Sequence, residues 1–142
     1  RRYETSIMDS LKTAVSNLTK EIAPAPVVEF RGVRTQRTVS AVPQSLPVLF
    51  DAILRTHRVT HKDHGITAIR VTETDTGSEI SVFTECSQHA AGLDPDVRWH
   101  EYASQLAESM GLTYYRKNHS DSNCLTSMVE ITQLQEVARN ER

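Results

Sequence analysis

Glycine is thinly spread in this chain. There are five, Gly32, Gly65, Gly77, Gly92 and Gly111, and no two are neighbours. That spacing excludes the glycine-rich loops whose backbone amides cradle phosphates. Cysteine is scarcer: Cys86 and Cys124 stand far apart and no CxxC occurs. A disulfide framework and a standard zinc site are therefore excluded, and two reduced thiols in an intracellular protein are expected. No apolar run approaches the length of a membrane span. A formal net charge of -2 exerts no overall pull towards nucleic acid or membrane. GxSxG is missing, and Cys86 and His89 have nothing beside them to orient a base. These absences point to a chain that is not an enzyme and has no cofactor.

What is present begins with a helical pattern at the front. Met8, Leu11, Val15, Leu18 and Ile22 follow one another at steps of three and four. That is a coiled-coil seam, with mostly β-branched residues at a and Leu at d, the choice that favours two parallel strands. The chain starts at Arg1 and the pattern runs into that end. A coil continuing upstream in a longer protein is expected. The competing reading is an amphipathic helix lying on its own domain, since Tyr3, Ile7 and Ala14 widen the stripe. Ala23-Pro24-Ala25-Pro26 then breaks the helix.

The 142 residues thus divide into a dimerisation helix over 1–23, a proline linker over 24–26 and an α+β domain over 27–142. In that domain Val27–Val33 reads as a strand, and Thr38–Val42 as its hairpin partner or continuation. Ser45 N-caps a helix to about Thr56, with Leu46, Leu49, Phe50, Ile53 and Leu54 on its core face. Ile66–Thr74 and Ser78–Cys86 form a hairpin around Asp75-Thr76-Gly77, with Gly77 supplying left-handed geometry. Asp94-Pro95-Asp96 opens a second helix with Trp99, Tyr102, Ala103, Leu106, Ala107 and Met110 buried, closed by Gly111. Two further strands follow, Leu112–Lys117 and Cys124–Thr132, then a short tail helix over Gln133–Arg142. Without the coil and the last strand the order is βαββαβ. It predicts a ferredoxin-like antiparallel sheet with two helices on one face.

Three clusters could carry chemistry. His57, His61 and His64 are possible metal ligands, but Arg58 and Lys62 between them repel a dication and no standard spacing is met, so no metal is expected. Arg31, Arg34, Arg37, Arg55, Arg58 and Lys62 precede an acidic second half and could form a surface for nucleic acid. Tyr115 beside Arg116 suits a protein interface, where both residue types are enriched. The leading expectation is a non-enzymatic scaffold module. It would dimerise with itself, or with a related coiled-coil chain, through Met8, Leu11, Val15, Leu18 and Ile22. The α+β domain would then dock a further protein partner. Nucleic-acid binding is the alternative.

Overall fold

A computed structural model describes residues 3–57, 65–84, 97–118 and 125–132. The chain opens with strand β1 (Tyr3–Ser6) and helix α1 (Ile7–Glu21). Ser6 caps the helix, its side-chain oxygen accepting the Asp9 N–H at 3.1 Å. Strands β2 (Val28–Gly32) and β3 (Thr38–Ala41) come next, then helix α2 (Ser45–Thr56). Strands β4 (Thr67–Glu73) and β5 (Gly77–Thr84), helix α3 (Val97–Ser109), and strands β6 (Thr113–Asn118) and β7 (Leu125–Thr132) complete the order.

The main sheet has five strands in the order β2-β4-β5-β7-β6. β4, β5, β7 and β6 pair antiparallel, as the ferredoxin-like expectation required. β2 departs from it by lying parallel to β4, with Phe30 opposite Ile69. A parallel pair needs a long crossover, here supplied by β3 and α2. β1 and β3 form a separate two-stranded sheet, with Tyr3 opposite Ala41.

Period-2 alternation sends Ile69 and Val71, Ile80 and Val82, and Val129 and Ile131 to one face, where the helices cover them in a single buried cluster. From α2 that cluster takes Leu46, Leu49, Phe50, Ile53 and Leu54, the face expected of it. From α3 it takes Ala103 and Ala107, with Trp99, Leu106 and Met110 packed at its margin; Tyr102 turns outward, 45% exposed. Three helices, not two, therefore share the face.

The third of them is α1, and this corrects the coiled-coil expectation. Met8, Leu11 and Leu18 are buried in the domain's own core, and Val15 and Ile22 pack against it. Ile7 and Ala14 are buried beside them, so the apolar stripe is broader than a coil seam. A stripe of that width is what a helix lying on a sheet requires. Burying Met8, Leu11, Val15, Leu18 and Ile22 in this way leaves the seam unavailable to a second chain. β1 anchors the fold-back by pairing with β3, and the Ile7 N–H donates to the Arg37 carbonyl at 3.3 Å. Arg55 adds a lock: its guanidinium donates to Glu21 of α1 at 2.6 Å and to Asp51 of α2 at 2.9 Å, and lies 5.2 Å from the ring centroid of Trp99 on α3.

Two local expectations also change. α2 is entered through Gln44 at φ 69°, and Ser45, expected as the cap, instead donates its hydroxyl to the Val42 carbonyl at 2.6 Å. Gly77 is required by the close approach of β7: a Cβ there would collide with the Ile131 carbonyl. Gly111 does close α3 at φ +72°, as expected. The expected Asp94 cap and the tail helix over Gln133–Arg142 lie outside the described residues.

Candidate functional site

The inner face of the sheet is apolar along most of its length and polar at one end. On β4 the inner series Val71, Ile69 ends at Thr67, and on β5 the series Ile80, Val82 ends at Thr84. On β7 the series Ile131, Val129 gives way to Ser127, and on β6 Tyr114 and Arg116 occupy the same face. The C-terminus of α2 and the first turn of α3 meet this end, contributing Thr56, His57 and His100.

His57 is the hub. Its Nδ1 hydrogen-bonds with Thr84 Oγ1 at 2.7 Å and its Nε2 with Ser127 Oγ at 2.7 Å. Thr84 Oγ1 lies 3.4 Å from Thr67 Oγ1. A neutral imidazole has one donor and one acceptor nitrogen, and hydroxyls can answer either. Thr56, Thr67 and Ser127 are fully buried, so this network is a fixed floor. The floor continues to Tyr114, whose hydroxyl faces Ser127 and Thr56, and lies 2.9 Å from His100 Nδ1. Burial pushes the Tyr114 phenol above its ordinary value, against the opposing pull of the Ser127 and Thr56 hydroxyls and of Arg116. Burial, reinforced by the Arg116 charge, holds His100 below the usual histidine value, with Glu101 opposing. His100 is therefore a neutral ring at neutral pH. One guanidinium nitrogen of Arg116, Nη1, is buried there without a hydrogen-bond partner among the described residues.

The expected site residues are not brought together. Tyr115 and Arg116 point to opposite faces: Tyr115 is 36% exposed on the outer side of the sheet, and Arg116 lies inside with Tyr114. Of the basic set, Arg31 pairs with Glu29 at 2.8 Å, and Arg55 is committed to Glu21, Asp51 and Trp99. Arg37 donates to the Thr74 carbonyl at 2.8 Å and to the Gly77 carbonyl, closing the β4–β5 turn. Arg34 is exposed on a loop, and Arg58 and Lys62 lie outside the described residues. No shared basic surface results among those described. His61 and His64 are outside them too, and His57 binds hydroxyls; no metal-holding group of three His, Cys, Asp or Glu occurs among the described residues.

No protein family matches the sequence, and no curated protein matches it. The three-dimensional structure does have relatives. A mycobacterial sensor histidine kinase, MprB, superposes with a TM-score of 0.69 over 93% of this chain and 97% of its own, at 10% identity. The fold is that of histidine-kinase catalytic domains. The catalytic domain of the histidine kinase ThkA gives a TM-score of 0.66 at 11% identity, again over 93% of this chain and 97% of that one. The histidine kinase AdeS of Acinetobacter baumannii gives 0.68 at 6% identity, over 94% of this chain and 68% of that one. This likeness overturns the reading of a non-enzymatic scaffold carried on a coil, and the alternative of a nucleic-acid module with it: 93% of the chain superposes on a histidine-kinase structure.

The polar floor was missed by sequence reasoning, which weighed His57 only as a metal ligand. A signal for it existed. Thr67, Thr84 and Ser127 each stand two residues from a core position, on the parity that faces the helices.

Proposed function

We propose that this chain is a nucleotide-dependent catalytic domain of the histidine-kinase type, with its ligand seated at the polar end of the cleft between α2, α3 and the sheet. The observation that carries the reading is the near-complete coverage of both chains in the match to MprB. A related structure, that of ShkA, is a complex with AMPPNP, which supplies the ligand class. The buried polar floor supports the placement, because a pocket for a nucleotide needs a few fixed polar groups among apolar walls. No glycine cluster exists to wrap phosphates in backbone amides. Side chains of this end, Arg116 foremost, would do that work. A divalent cation is not held by the described residues alone.

A protein partner belongs to the same reading. One ThkA structure is a complex with the response regulator TrrA. Tyr115, exposed on the outer face of the sheet, is the contact we assign to such a partner here. Among the described residues no helix is long and apolar enough to cross a membrane.

Calorimetric titration of the purified chain with MgATP tests the proposal. Saturable binding is expected. No heat of binding at millimolar nucleotide would overturn it.

A further inference from the structure

The inner face of β6 carries a charge that the fold does not use. Arg116 shares its face with Tyr114, opposite Ser127, where every neighbouring strand presents apolar or hydroxyl side chains. Its Nη1 is buried and donates to nothing among the described residues. No described carboxylate pairs with it; the ion pairs among the described residues are those of Arg31 and Arg55. A guanidinium nitrogen withdrawn from water without a partner is costly, and an anion that completes it removes that cost. Two neutral polar rings stand beside it. His100, on α3, has its Nδ1 2.9 Å from the Tyr114 hydroxyl. Guanidinium, imidazole and phenol thus meet between β6 and α3, with the Glu101 carboxylate acting on His100 from the same helix.

Resting on the function proposed above, we infer that Arg116, with His100 beside it, is the seat of a phosphate group of the ligand. A guanidinium offers several donors in a rigid fork that matches phosphate oxygens, which a chain without a glycine loop has particular need of. The phosphate could belong to a nucleotide or arrive as a free phosphate ester, and the two are separable by experiment.

The test measures binding of MgATP and of pyrophosphate to the intact chain, to Arg116→Met and to Arg116→Lys, with melting temperature recorded for each. Arg116→Met should weaken both probes by roughly 10–100-fold, the loss of one or two charge-assisted bonds. Arg116→Lys, which keeps the charge but not the fork, should recover part of the loss. The melting temperature of Arg116→Met should rise, since a buried donor without a partner among the described residues is gone. Nucleotide binding unchanged in Arg116→Met would overturn the inference and leave the proposed function standing. Pyrophosphate binding that needs Arg116, without any MgATP binding, would sustain the phosphate seat and remove the nucleotide reading. Binding of neither probe removes both. A lower melting temperature in Arg116→Met would show the guanidinium paired within the fold, and the inference would fail.

Discussion

His57 Nε2 lies 2.7 Å from Ser127 Oγ, joining the residue that ends α2 to the inner face of β7 across 70 positions of sequence. The other ring nitrogen holds Thr84 at the same distance. The imidazole therefore fixes the end of α2 against two adjacent strands. Replacement by an apolar residue would remove both of these hydrogen bonds from the floor. His57→Leu should lower stability by about 1–3 kcal/mol, from the two lost hydrogen bonds and not from lost volume. Urea unfolding checks the value, and Thr84→Val in the His57→Leu background should restore part of it. Equal stability of the wild-type and His57→Leu chains would show the floor to be energetically idle.

Leu11 and Leu18 make a second case where the fold decides the outcome. In a coiled coil their removal would separate two chains and leave each domain folded. Both are instead buried in the domain's own core. Leu11→Ala or Leu18→Ala should each lower the unfolding free energy by about 2–5 kcal/mol, the range for a large-to-small change in a packed core. Sedimentation and thermal melting separate the alternatives. The expected result is a lower melting temperature with no change in mass; a halved mass with an unchanged melting temperature would restore the coil.

These outcomes mark what could be read from residues alone. The core face of α2, the β4–β5 hairpin and the closure of α3 at Gly111 follow from short-range patterns, and they form as expected. The placement of α1 does not, because steps of three and four serve a coil and a core helix alike. Ile7 and Ala14 were the residues that told them apart. The inward turn of Arg116 was legible, since a strand that exposes Tyr115 must bury its neighbours on both sides. The parallel pairing of β2 with β4 was not, because it depends on a crossover whose landing point no local signal fixes. The polar floor draws on α2, α3 and four strands, so its members are neighbours only after folding. At about 10% identity to MprB, the kinase-type fold survives in the burial pattern and not in any motif.

His100 gives the remaining prediction, a pH dependence. Burial and the Arg116 charge lower its folded value below the 6.5 of a free histidine, against a smaller opposing pull from Glu101 on its own helix. From β6 it faces Arg116 and the Tyr114 hydroxyl. Between that lowered value and 6.5, the unfolded chain holds a proton that the folded chain does not. Its contribution to stability is thus intact above the unfolded value and is lost as pH falls through the folded one. Urea midpoints taken from about pH 7.5 down to about pH 5.5 should therefore fall on the acid side. His100→Gln should flatten that fall while keeping a partner for the Tyr114 hydroxyl. An acid slope as steep in His100→Gln as in the wild type would assign the titration to another group and leave His100 accessible to water in the folded chain.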